Sequence, residues 1–211
     1  MKIIFVRHGE SEVNAMNIVQ GHGESPLSQR GRLQAKKVAE RLEHERIDYI
    51  YASDIGRAEE TAEIIAEFHP NVPFLVSEIF RERALGVLEG RKIQEIMVNP
   101  ELAHLYKHGG EEGVESRADV RIRAEKVLKE LIMKHPEETI LIVSHGSFGR
   151  AFLAAITNDS YEESLAWNAL KNTSVSIMNV EPNSLQHMIE LRNCVKHLED
   201  SQIESLEDKN F

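Results

Sequence analysis

Ile3-Ile4-Phe5-Val6-Arg7-His8-Gly9-Glu10 is the stretch on which the fold turns. Four consecutive apolar residues, three of them β-branched, end abruptly in a guanidinium and an imidazole. A short continuous apolar run of this kind reads as a strand buried on both faces, as in a parallel sheet covered by helices. Ligands of open α/β sheets bind beyond the carboxyl ends of the strands, so Arg7 and His8 stand where chemistry is expected. Thr139-Ile140-Leu141-Ile142-Val143 repeats the pattern and ends in Ser144-His145-Gly146. Two buried strands that each deliver a His-Gly to one sheet edge are hard to explain as packing.

Between and beyond these strands the chain alternates strand and helix. Lys2 to Val6 is the first strand, and Gly9 to Pro26 is a polar, glycine-containing loop that lines a site. Ser28 caps a helix from about Gln29 to Glu45. Asp48 to Ala52 is a strand, and Ser53-Asp54 is a capping pair for a helix from about Ile55 to Phe68. A strand at Val72 to Val76 precedes a segment dense in charge and glycine. Helices are expected from about Ile93 to Lys107, Arg117 to Lys134 and Phe148 to Ile156, with a capping box at Ser160 and Glu163. Ser174 to Val180 and Gln186 to Cys194 read as strands around the turn Glu181-Pro182-Asn183-Ser184. The expected architecture is a three-layer α/β/α sandwich with a mostly parallel central sheet and a small helical cap insertion at about 83–116. Residues 1–211 read as one domain, with an acidic, loosely held tail at 198–211.

The 211 residues suit one sizeable α/β domain. A formal net charge of −10 argues against nucleic-acid binding and against docking on an anionic membrane. An anionic substrate can still bind such a protein through a local cluster of Arg and His. The single cysteine, Cys194, excludes a disulfide framework within the chain and fits a reducing, cytoplasmic setting. It reads as a small, partly buried strand residue. The apolar start is too short for a secretory signal, and no run approaches a membrane span. The sequence leaves a homodimer open.

Arg57 falls in the first turn of the helix after the second strand, where the macrodipole disfavours a cation. An anion that it must reach explains it better. Two arginine forks and helix N–H groups make a phosphate clamp, because guanidinium geometry matches phosphate oxygens bidentately. Two imidazoles beside such a clamp suggest phosphoryl transfer. One can attack phosphorus and form a phosphohistidine, and the other, if protonated, stabilises charge on the transferring oxygens.

These residues resemble the histidine phosphatase superfamily, the group that includes cofactor-dependent phosphoglycerate mutases. Arg7-His8-Gly9-Glu10-Ser11 with Asn14 matches its Arg-His-Gly-Glu-(Ser/Thr)-x-x-Asn signature. Ser53-Asp54-Ile55-Gly56-Arg57-Ala58 with Thr61-Ala62, Glu82 with Gly86 and Gly90, and Ser144-His145-Gly146 match further motifs in the family's order. The resemblance implies that His8 is the phosphorylated nucleophile. It implies that Arg7, Arg57 and His145 hold the phosphoryl group and that Glu82 protonates the leaving oxygen, for which Glu82 must carry a proton. Asn14, Ser11, Gln20, Gly21 and Gly146 are the implied substrate-binding residues. No metal and no cofactor are expected, since no His-x-His, His-Glu-x-x-His or Cys-His cluster occurs. The other histidines, His22, His44, His69, His104, His108, His135, His187 and His197, read as surface or loop residues, with His22 near enough to touch substrate.

The partner expected is a phosphorylated small molecule, and the reaction is hydrolysis of its phosphomonoester. The alternative is a phosphoglycerate mutase. Mutases typically carry a His-Tyr pair where this chain has Ala84-Leu85, and the paired arginines they place further on have no match near His108-Gly109. A second alternative is a non-catalytic phosphate-binding module.

Overall fold

The computed structural model describes residues 1–181 and 187–199. The strands are β1 (Lys2–Arg7), β2 (Tyr49–Ala52), β3 (Phe74–Val76), β4 (Thr139–Ser144), β5 (Val175–Asn179) and β6 (Met188–Cys194). The helices are α1 (Glu12–Ala15), α2 (Gln29–Leu42), α3 (Gly56–Ala66), α4 (Ile93–Val98), α5 (Pro100–His108), α6 (Arg117–Lys134), α7 (Gly146–Thr157) and α8 (Tyr161–Ser164).

The strands form one sheet in the order β3-β2-β4-β1-β5-β6. β1, β2, β3 and β4 run parallel, while β5 is antiparallel to β1 and β6 to β5. The expected α/β/α architecture with a mostly parallel sheet is what the chain adopts. Alternation along each strand builds the two outer layers. Ile3, Phe5, Ile140 and Ile142 face α6 and α7, packing on Val120, Ala124, Leu128, Phe148 and Phe152. Ile4, Val6, Leu141 and Val143 face α2 and α3, packing on Val38, Leu42, Ala62 and Ile65. Ile3 to Val6 and Ile140 to Val143 are fully buried. Burying each such side chain stabilises by about 1.5–3 kcal/mol before entropy is counted, so these strands are fixed rigidly behind whatever they present at their ends.

The register does the positioning. Arg7 pairs with Ser144 across β1 and β4, and Ala52 pairs with Val143 across β2 and β4. Three parallel strands therefore end together, with His8, Ser53 and His145 as the next residues along each. Between β3 and α6, Leu85, Leu88, Ile96 and Val114 form a separate apolar cluster joined by Val19, Leu102, Leu105 and Tyr106.

Three local expectations are corrected. The loop Gly9 to Pro26 contains the one-turn helix α1, started by a capping box between Ser11 and Asn14. The single helix expected from Ile93 to Lys107 is two, because Pro100 cannot continue α4 and instead occupies the first turn of α5, capped by Asn99. Leu198, taken as the start of a loose tail, is buried in a 3₁₀ turn, Lys196–Leu198. The rest of that tail, 200–211, and positions 182–186 of the last turn and strand lie outside the described residues.

Candidate active site

His8 leaves β1 with its ring buried at 2% exposure. Its Nδ1 lies 2.6 Å from the Gly9 carbonyl oxygen, which can only accept. Nδ1 therefore carries the proton, and the lone pair stands on Nε2. Arg57 Nε donates to that Nε2 across 3.3 Å, which marks the lone pair's direction. The other two arms of Arg57 are fixed by the carbonyls of Gly23 (2.8 Å) and Gly21 (2.9 Å). Gly21 holds its backbone at φ +51°, and a Cβ there would sit 2.1 Å from Glu89 Oε1, so only glycine lets this loop close over Arg57.

His145 stacks obliquely against His8, ring centres 5.1 Å apart. Its Nε2 is 2.8 Å from Ser53 Oγ. Its Nδ1 is buried without a partner. Ser53 Oγ already accepts from the Ile55 N–H. If its own proton goes to Nε2, His145 is left with an Nδ1–H that waits for an acceptor.

Glu82 caps helix α7. Its carboxylate accepts from the Ser147 N–H (3.0 Å), the Phe148 N–H (3.0 Å) and the Arg83 N–H (2.8 Å). All of these are backbone donors, and the first two tie the carboxylate to the start of α7. His22 Nε2 lies 2.8 Å from the Glu82 carbonyl oxygen and fixes the backbone at the acid.

A cavity of about 190 Å³ is lined by Arg7, His8, Arg57 and Glu82, with Asn14, Gln20 and Gly21 on its rim. Gly146 lines an adjoining cavity, where a Cβ would be 3.7 Å from both Arg7 Nε and Glu82 Oε2. Ser11 is different. It is fully buried and off the cavity wall, with its hydroxyl spent on capping Asn14 N–H and donating to Gln20 Oε1 (3.0 Å). Its hydroxyl holds two residues of the cavity's lining.

Other expectations need correction. Asp54 does not cap α3, because Arg81 takes both its oxygens. The Gly56 N–H donates instead to Glu24 Oε2 at 3.1 Å. His69 and His135 are buried rather than surface residues, the latter against the Tyr51 hydroxyl.

Sequence reasoning also missed the segment before β5. Arg7 Nη1 donates to the Leu170 carbonyl, Asn172 Nδ2 donates to the His8 carbonyl (3.0 Å), and the Thr173 N–H donates to the Arg7 carbonyl (3.0 Å). The polar triplet Asn172-Thr173-Ser174 before an apolar strand was its available signal. Thr61 completes the frame, accepting from the Gly9 N–H and donating to the Arg57 carbonyl.

Burial, then Arg57 and Arg7, holds His8 well below the ordinary imidazole pKa. Burial, then Arg57 and His8, does the same to His145. Both shifts favour the neutral rings in the ligand-free site, so a protonated second histidine, the condition set in the sequence reading, requires a bound anion. Arg57 is pulled down to about 10 by burial and stays charged.

The depressed imidazoles set a pH dependence of stability. In the unfolded chain they take up protons near pH 6.5; in the folded chain they do not. The unfolded state then binds more protons below about pH 6.5, and each histidine costs up to roughly 1.4 kcal/mol per pH unit as pH falls. Ligand-free protein is expected to lose thermal stability from pH 6.5 to 5, more steeply than a His8→Asn/His145→Asn variant. Equal slopes in a melting series would contradict this account.

Residues 3–192 match the family model of the histidine phosphatase superfamily, branch 1. The chain belongs to this superfamily. Over 210 residues it is 32% identical to phosphoglycerate mutase-like protein 4 of Arabidopsis thaliana, covering 95% of this chain and 88% of that protein. It is 32% identical over 211 residues to phosphoserine phosphatase 1 of Hydrogenobacter thermophilus, covering 97% of this chain and 98% of the relative. Its fold overlays on Bacillus stearothermophilus YhfR with a TM-score of 0.85 at 30% identity, covering 94% of this chain and 99% of the other. Of the superfamily signature residues quoted above, Arg7, His8, Asn14, Arg57 and Glu82 line the cavity.

Proposed function

We propose that this protein is a metal-independent phosphatase of small phosphorylated metabolites that works through a phosphohistidine on His8. One observation carries the reading: a neutral, buried imidazole whose Nε2 lone pair faces Arg57 in a cavity shared with Arg7 and Glu82. The Nε2 lone pair attacks phosphorus as the ester P–O bond breaks. Arg7, Arg57 and the His145 Nδ1–H receive the phosphoryl oxygens, donors already in place before charge develops. Glu82 protonates the departing oxygen. Its proton arrives with the substrate, since a phosphomonoester monoanion carries one. In the second step Glu82 takes a proton from water, the water oxygen bonds to phosphorus, and the P–N bond returns its electrons to His8.

A relative of Arabidopsis thaliana, 34% identical over 191 residues, is named as a metal-independent phosphoserine phosphatase, which supports hydrolysis without a metal. No helix among the described residues is long and apolar enough to cross a membrane, and a cytoplasmic setting suits a phosphometabolite substrate.

The test is a panel of phosphorylated metabolites with chelator present and phosphate release as the readout. Phosphate release from several phosphomonoesters is expected. Interconversion of 3- and 2-phosphoglycerate stimulated by 2,3-bisphosphoglycerate, without net phosphate release, would replace this reading with the mutase one. Tight phosphate binding with no turnover would replace it with a non-catalytic module.

A further inference from the structure

Glu82 stands in a stretch without regular structure, between the 3₁₀ turns Glu78–Phe80 and Gly86–Leu88. No sheet ladder or helix serves the backbone carbonyls there, so they must find donors elsewhere. The Phe80 carbonyl receives the Ser144 hydroxyl at 2.6 Å. The carbonyls of Ile79, Arg81 and Glu82 all go to a single side chain, that of Arg123 on α6. Its Nη1 donates to Ile79 (3.1 Å) and to Arg81 (2.8 Å), and its Nη2 to Glu82 (3.2 Å).

The remaining donors of Arg123 are taken as well. Nε donates to Glu115 Oε1 (3.2 Å) and Nη2 to Glu115 Oε2 (2.9 Å). A guanidinium carries five N–H groups, and all five are used. Glu115 in turn holds the chain beyond the acid. Its Oε2 accepts from the Ala84 N–H (3.2 Å), its own N–H donates to the Ala84 carbonyl (2.9 Å), and its carbonyl accepts from Arg83 Nε (2.6 Å). The guanidinium also lies 4.9 Å from the centre of the Phe148 ring, and the Phe148 N–H is one of the donors to the Glu82 carboxylate. One cation therefore binds the backbone that carries the acid and packs on the helix start that receives its carboxylate.

An ordinary ion pair does not account for this. Glu115 uses only two of the five N–H groups, and pairs near the surface contribute little by themselves. Arg123 is also off the walls of the phosphoryl cavity, so it does not serve by touching substrate. A general acid, by contrast, must keep its carboxyl within hydrogen-bond reach of the leaving oxygen, and an irregular segment does so only when it is tied down.

We propose that Arg123, backed by Glu115, is a positioning residue for the general acid: it fixes the backbone of residues 79–82 so that the Glu82 carboxyl meets the leaving oxygen. This rests on the phosphatase reading, in which Glu82 is that acid.

The test compares kcat/KM of Arg123→Gln on p-nitrophenyl phosphate and on an alkyl phosphate that the wild type hydrolyses. A misplaced acid should lower the alkyl value by about 10- to 100-fold. The nitrophenyl value should stay within about threefold, because that leaving group needs no proton. Arg123→Lys, which keeps the charge and part of the donor set, should recover some of the alkyl loss. In a Glu82→Gln background, where no proton is there to be placed, Arg123→Gln should cost less than about threefold more. Equal effects on the two substrates, or a full loss added on top of Glu82→Gln, would overturn the assignment, since Arg123 would then support the site at large. Circular dichroism verifies the fold, and should Arg123→Gln not fold, Arg123→Lys in the same comparison decides. If the wild type hydrolyses no phosphomonoester, the phosphatase reading fails by itself. Amide exchange then still measures whether Arg123 places the carboxyl: the Ser147 and Phe148 N–H groups should exchange faster in Arg123→Lys, and unchanged rates would remove the clamp too.

Discussion

Replacing His8 with Ala is expected to lower phosphomonoester hydrolysis by at least about four orders of magnitude, the scale of losing a nucleophile. The argument rests on how little else in the site can take over its task. His145 is the other imidazole at hand, but its Nε2 is engaged by Ser53. Arg57 and Arg7 are cations with no lone pair to offer. Binding should survive, because the clamp and the Nδ1 of His145 remain, so phosphate or vanadate should still raise the melting temperature of the variant. Rapid quenching of wild-type protein mixed with a radiolabelled phosphomonoester should trap acid-labile, base-stable label on the chain, and His8→Ala should trap none. Label retained in His8→Ala, or turnover within tenfold of wild type, would move the nucleophile elsewhere.

Much of this site could be read before any coordinates. β1 and β4 were legible because both faces of a central parallel strand are buried, which forces an unbroken apolar run. Arg7, His8 and His145 were legible because such runs end abruptly in polar residues. Arg57 stood out because its place in the first turn of α3 is electrostatically unfavourable without an anion. The features that escaped share one physical property: their partners are backbone groups. Leu170 holds Arg7 through its carbonyl, Gly21 and Gly23 hold Arg57 through theirs, and Asn172 reaches the His8 carbonyl. A carbonyl acceptor is the same at every residue, so nothing in the side-chain pattern announces it. Asp54 was misread for a related reason. An acid before a helix is a fair cap locally, and only the tertiary fold brings Arg81 to claim it. Ser11 shows the same limit: its place in a signature motif implies substrate, and only the fold shows its hydroxyl spent on Asn14 and Gln20 of the cavity's lining.

Glu82→Gln separates two jobs that one carboxyl does. As an acceptor, Glu82 ties the Ser147, Phe148 and Arg83 N–H groups to the cavity wall. As an acid, it must give a proton to the oxygen that leaves. Glutamine keeps a carbonyl oxygen for those N–H groups but has no proton to transfer, so the fold and phosphate binding should persist. Hydrolysis of an alkyl phosphate, whose alkoxide is a poor leaving group, should fall by about 10²- to 10⁴-fold, the usual contribution of a positioned general acid. Hydrolysis of p-nitrophenyl phosphate should lose far less in the phosphorylation step, because p-nitrophenolate departs without protonation. Water attack on the phosphohistidine still needs a base, so the variant should accumulate labelled enzyme with p-nitrophenyl phosphate and show a burst of nitrophenol. Glu82→Ala removes the acceptor as well and should lower the melting temperature, since α7 then begins with uncapped N–H groups at a buried end. Equal losses on alkyl and nitrophenyl substrates in Glu82→Gln, with no burst, would mean that Glu82 shapes the site without moving a proton, and the acid would have to be sought among the other groups lining the cavity.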